Sequence, residues 1–240
     1  MAFKDNPSTA MPKRFYKEVQ VEKEGSKFQI KIDGRVLKTM ARNPLLLSQE
    51  AIAHAIAKEW DEQLEVVNPN SMPLTRLANI AIDRVPMHRA EILADILLYA
   101  ETDLLCHRAT EPELEALQQE KWTPPLQFLE KMMNIHMVLA TGVIPRGQPP
   151  ESLKILRETC EAMSDETLAG FAMLVPLLGS ILLALALWKK GLSLDEALSA
   201  CRLDEHYQQQ RWGSDAQMEQ LWQLKSRDIL ACVQWLYNVS

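Results

Sequence analysis

Eight glycines in 240 residues leave little material for a phosphate-cradling loop, and none of them falls into GxGxxG spacing. Gly142 and Gly147 have Walker-like separation, but Gln148-Pro149 follows where Lys and Ser/Thr would have to stand. Only four cysteines occur, Cys106, Cys160, Cys201 and Cys232, none in a CxxC pair, and the five histidines are scattered, so no zinc-type ligand set can be assembled. They read as reduced, buried thiols of a reducing compartment. Lys plus Arg number 26 against 32 Asp plus Glu, a net charge of -6, and no basic stripe gathers, which disfavours nucleic acid as a partner. GxSxG is missing too, which removes the usual elbow for a nucleophilic serine. Met1 to Lys13 lacks an apolar signal segment and is short and acidic for a transit peptide, so the expected location is the bacterial cytoplasm, or the mitochondrial matrix in a eukaryote.

What is present is an ordinary globular balance, 47% hydrophobic and 24% charged, enough for a core without metals or cross-links. The fold class expected is α+β: a small β-rich N-terminal domain of antiparallel strands with its first helix (1–70), followed by a larger all-α helical domain (71–240). Val19 and Val21 alternate with polar residues, as do Phe28, Ile30 and Ile32, and Gly25-Ser26 and Asp33-Gly34 punctuate them; the pattern predicts a meander of about three strands. After Pro44 the period turns helical, with a helix over 48–65 capped by Ser48, and a second over 74–85 ended by Pro86. Trp60 is expected at the seam of the β part and these first helices.

Further helix starts are expected at Thr110 with Glu113, at Thr123 before Pro124, and at Ser193 with Glu196. Cys106-His107 is read as helical, Met137 to Gly142 as a short extended piece, and the prolines 145, 149 and 150 as a flexible boundary. Phe171 to Trp188 is the one long uncharged run; it reads as a single helix buried on all sides, or as a membrane span at the lower limit of length. Within it, the Ser180 hydroxyl is expected to bond back to the preceding turn.

Two polar sets stand out. Arg76, Asn79 and Asp83 have i, i+3, i+7 spacing, either a solvated stripe or a contact face. Asp204, Glu205, Gln208, Arg211 and Trp212 place a large aromatic among charges beside Gly213; an exposed Trp next to Arg has the composition of a binding hot spot, while a buried Trp is the alternative.

The segments FQIKIDGRVLKT (28–39), AIAKEWDEQ (55–63), MPLTRLANIAIDRV (72–85), YAETDLLCHRA (99–109), Trp122 with Pro124, GSILLALAL (179–187) and DEHYQQQRWG (204–213) together resemble the ATP synthase alpha-subunit assembly chaperones, the Atp-twelve family. The resemblance spans roughly 14–235. It implies a chaperone without catalysis or cofactor, whose partner is the unassembled alpha subunit of the soluble head, working as a monomer with no stable membrane insertion. Arg76, Asp83, Asp103, Glu205, Gln208 and Trp212 are the candidate partner contacts. Val36 and Met40 depart from the family's usual prolines, and His206 and Gln210 from its common acidic residues. A rival reading stays open, a hydrolase or transferase using Asp103, His107 and Glu205.

Overall fold

A computed structural model describes residues 12–142, 146–213 and 216–239. They form two compact units that divide between Asn79 and Ile80. An antiparallel sheet comes first and helices follow, so the α+β expectation holds.

In the first unit, β1 (Val19–Glu24) and β2 (Lys27–Ile32) pair in register from Val19↔Ile32 to Glu24↔Lys27. The two-residue loop Gly25-Ser26 closes this hairpin. β3 (Arg35–Val36) returns on β2 through Asp33-Gly34, whose φ angles of 47° and 75° are both positive, the left-handed pair a tight hairpin demands. Leu46–Leu47, β4, adds a second short partner to β2. The alternation read from the sequence buries Ile30 and Ile32. Helix α1 (Glu50–Asp61) covers the sheet with Ile52, Ala53, Ile56 and Ala57. Its N-cap is Gln49 rather than Ser48, and it stops at Asp61, short of the expected end at 65. Beside it Tyr16, Ile32, Val67 and Met72 cluster, and the half-buried Trp60 packs on them, its ring 5.7 Å from that of Tyr16. Helix α2 (Pro73–Asn79) starts on a cap borrowed from α1: the Glu59 carboxylate accepts from Leu74 N and Thr75 N at 2.7 and 2.8 Å.

The second unit opens with a π-helical turn, Ile80–Arg84, and runs into α3 (Val85–Glu101). Pro86 therefore does not end a helix. It sits in the first turn, where a missing N–H costs nothing. The next expectation also needs correcting, since α4 spans Pro112–Met133 without interruption: its N-cap is Glu111 with Pro112 first, so Thr110 and Glu113 form no capping box, and Thr123 starts nothing. Pro124 and Pro125 lie inside α4, which persists because Trp122, Leu126 and Leu129 hold it to the core. Cys106 belongs to a 3-10 turn and His107 to β5 (His107–Arg108), which pairs in parallel with β6 (Ala140–Thr141); neither residue is α-helical. Pro149 and Pro150 serve as N-cap and first residue of α5 (Pro150–Glu161); Pro145 is outside the described residues.

The uncharged run is two helices, α6 (Asp165–Leu178) and α7 (Ile181–Trp188). Gly179 ends the first with φ 69°, and Ser180 caps the second by accepting from Leu183 N at 2.8 Å, so its hydroxyl serves the turn ahead, not the one behind. Every residue from Ile181 to Leu187 is fully buried, among α3, α4, α6, α8 (Leu194–Cys201) and α10 (Ala216–Val239). No helix among the described residues is long and apolar enough to cross a membrane. Ser193 and Glu196 form the expected reciprocal capping box on α8. The distal half of α10 lies on α6, where Trp235 Nε1 donates to Glu166 O at 2.7 Å.

Candidate functional site

Helix α9 (Leu203–Trp212) carries three of the six candidates, and its two sides are unlike. The inner side is clamped to the start of α4. Arg211 forks onto Glu111 and Glu113, the latter at 2.9 Å, and Tyr207 donates to Glu113 at 3.2 Å. Gln118 Nε2 donates to Asp204 Oδ1 at 2.8 Å, and Leu203 is buried. Packing first, then the carboxylates of Glu111 and Glu113, push the Tyr207 phenol up to about 12, so it stays a donor throughout the physiological range.

The outer side is Glu205, Gln208 and Trp212, three residues at i, i+3, i+7 that share one exposed stripe. None of the three forms a side-chain hydrogen bond or ion pair among the described residues. Trp212 is 86% exposed. Of the two readings of Trp212, exposed or buried, the exposed one is found, and the helix stops directly after it at Gly213, φ 91°.

Helix α10 also carries exposed apolar residues, Met218, Leu221 and Leu224. Between α4, α8, α9 and α10 lies a groove of about 440 Å³ lined by Leu117, Tyr207, Trp222 and Arg202, with the Arg202 guanidinium 4.7 Å from the Trp222 ring. His206 and Gln210, hydrogen-bonded to each other at 3.0 Å, also line it. The sequence reading missed the α10 residues. Their signal was the crowding of Met218, Leu221, Trp222 and Leu224 within two turns, more than one helix face can bury.

The other three candidates are elsewhere. Arg76 and Asp83 are half-buried, the first on α2 and the second in the π-helical turn Ile80–Arg84. Asn79, the middle member of that set, is a tie within the first unit, accepting from Met40 N at 3.0 Å. Asp103 is fully buried and has no surface to offer a partner. Its carboxylate accepts from Leu105 N (3.0 Å), Ser180 Oγ (2.7 Å) and Leu182 N (3.1 Å), fastening the 3-10 turn Leu104–Cys106 to the start of α7. Burial raises its pKa from 3.8 to about 6, against the opposing pull of those donors.

Catalytic alternatives find little support in this geometry. Asp103 is enclosed and its acceptors are taken, while Glu205 points to solvent. Burial pushes the Cys106 and Cys160 thiols up to about 12 and Cys201 to about 11, the condition of inert sulfur rather than a nucleophile. No group of His, Cys, Asp and Glu among the described residues is placed to hold a metal ion.

Comparison with known proteins points the same way. Residues 13–130 match the family model of the ATP12 chaperone protein. The mitochondrial protein atp12 of Schizosaccharomyces pombe is 26% identical over 215 residues, covering 84% of this chain and 74% of that protein. A crystal structure from Agrobacterium tumefaciens superposes with a TM-score of 0.90 at 34% identity, covering 98% of this chain and 93% of that one. Atp12 from Paracoccus denitrificans gives a TM-score of 0.88 at 33% identity, over 95% of this chain and 99% of its own. With a third of the residues shared over almost the full length of a solved Atp12, this chain belongs to the ATP12 chaperone family.

Proposed function

We propose that this chain is an assembly chaperone for the soluble catalytic head of ATP synthase, holding the unassembled alpha subunit and covering the surface that later meets beta. It acts by binding alone, with neither a reaction nor a cofactor, as a monomer in an aqueous compartment. An orphaned subunit exposes large apolar interfaces that associate wrongly unless covered, and a partner that offers matching apolar surface competes directly with that outcome.

The observation that carries this reading is the helix clamped from behind with Trp212 standing 86% exposed at its end. A free monomer gains nothing from an isolated indole in water; a binding surface gains its anchor. Glu205 and Gln208 beside it supply polar contacts at the rim, and Leu221 and Leu224 supply further apolar area.

The test is capture of the client. Tagged chain should co-purify newly made alpha subunit in the absence of beta, and release it when beta is added. Deleting the gene should leave alpha in aggregates and reduce the assembled head. Recovery of the tagged chain without alpha, together with normal head assembly in the deletion strain, defeats the proposal.

A further inference from the structure

Arg108 is an arginine carried into the interior with no carboxylate within hydrogen-bonding distance, Glu115 acting on it only from farther away. It stands on β5, is 6% exposed, and its guanidinium lies over Trp122 with the central carbon 5.4 Å from the ring centroid. Nη1 donates to the carbonyls of Leu105 and His107, the second at 2.9 Å. Nη2 is buried and meets no acceptor among the described residues, and no carboxylate pairs with the group. Arginine keeps its proton even when desolvated, so this charge cannot be shed as a lysine's can. Buried charges in native proteins are paired or bind an ion, because an uncompensated one is costly.

The same side chain lines an open pocket of about 380 Å³ where α4 meets residues 136–139 and Arg146. Arg146, His136, Gln127 and Thr123 also line it, so the wall offers a second guanidinium and several further hydrogen-bonding groups. Its one carboxylate, Glu130, is already occupied: it accepts from Met137 N at 3.0 Å and lies 3.4 Å from His136 Nδ1. The charge balance of the wall is therefore positive in a chain whose net charge is -6. A fixed positive charge behind a low-dielectric wall concentrates anions in the space in front of it, and Arg146 at the rim supplies a fork shaped for two oxygens. The volume lies near the lower end of the range for small-molecule sites, roughly 300–1,000 Å³, and exceeds the needs of a bare ion.

We propose that this pocket is an oxyanion site, receiving the phosphate or carboxylate head of a small molecule between the field of Arg108 and the guanidinium of Arg146. Its occupant neutralises the buried charge and so ties ligand binding to the packing of β5 against α4. The site lies in different structural elements from the α9 stripe and stands independently of the client reading.

The test is titration of the ¹⁵N-labelled full chain with inorganic phosphate and, separately, acetate, at ionic strength held constant with chloride. Saturable shifts confined to residues 108, 127 and 136–139 are expected, and the anion that saturates at lower concentration identifies the head group. Arg146→Gln, at an exposed position, should weaken binding about tenfold, the loss of one charge-assisted contact. Arg108→Gln should abolish it; if that variant does not fold, Arg146→Gln decides. Linear, dispersed shifts with both anions, or saturation unchanged in Arg146→Gln, overturn the proposal.

Discussion

Replacing Asp103 by asparagine changes one oxygen for an amide and isolates what the buried carboxyl does. Its folded pKa of about 6 lies above its ordinary 3.8, so the native state holds this proton where the unfolded chain has lost it. The contribution to stability is full below about pH 4 and is lost as the pH climbs through about 6. The rise from 3.8 to about 6 corresponds to about 3 kcal/mol of pH-dependent stability. Asparagine does not titrate, so wild type should lose between about 2 and 3 kcal/mol of stability relative to Asp103→Asn from pH 4 to pH 7.5. Asp103→Ala goes further, stranding Leu105 N and Leu182 N in the core, and should cost about 3 kcal/mol or more at pH 5. Urea unfolding followed by circular dichroism across this pH range measures both quantities. Because other carboxyls titrate in the same window, only the difference between wild type and asparagine variant counts. Parallel pH profiles for the two proteins would refute burial as the dominant influence on Asp103.

Three further outcomes are expected. Trp212→Ala should leave the melting temperature unchanged and weaken retention of the alpha subunit by about 2 kcal/mol, roughly thirtyfold, in a pull-down or calorimetric assay. Trp60→Arg, by pressing a charge onto Tyr16, Ile32, Val67 and Met72, should destabilise the first unit by about 3 kcal/mol in thermal unfolding. Gly191→Ala places a methyl 2.2 Å from the Phe128 ring and should cost about 2 kcal/mol, seen as a lower urea midpoint with unchanged slope.

The β hairpins were legible because their instructions are local: a period of two, and Gly25 and Asp33-Gly34 where positive φ is needed. The same holds for the Ser193 box and for the stop at Gly213. Proline misled the reading in both directions. Pro86 sits in a first turn where it is harmless, and Pro124 lies inside a helix held by the burial of Trp122 and Leu129, facts that depend on neighbours far away in the chain. The break at Gly179-Ser180 was written in the sequence, but hydrophobic continuity across 171–188 outweighed it. At the candidate site, the Glu205, Gln208 and Trp212 stripe follows from helical spacing; which side faced water did not, since that depends on Glu111 and Glu113 gripping Arg211 from about a hundred residues away. Asp103 looked like a surface acid because no pattern announces that Ser180 and Leu182 come to meet it.

The helix Ile181–Leu187 imposes an order on the birth of this molecule. Its cover includes α10, on which Ile229, Cys232, Trp235 and Leu236 are fully buried, and these residues follow it in the chain only after α8 and α9. Until they leave the ribosome, the greasiest stretch of the polypeptide has no lid, and the second unit cannot close around it. Stopping translation before Ile229 should therefore yield a chain that aggregates, a helper that itself needs help.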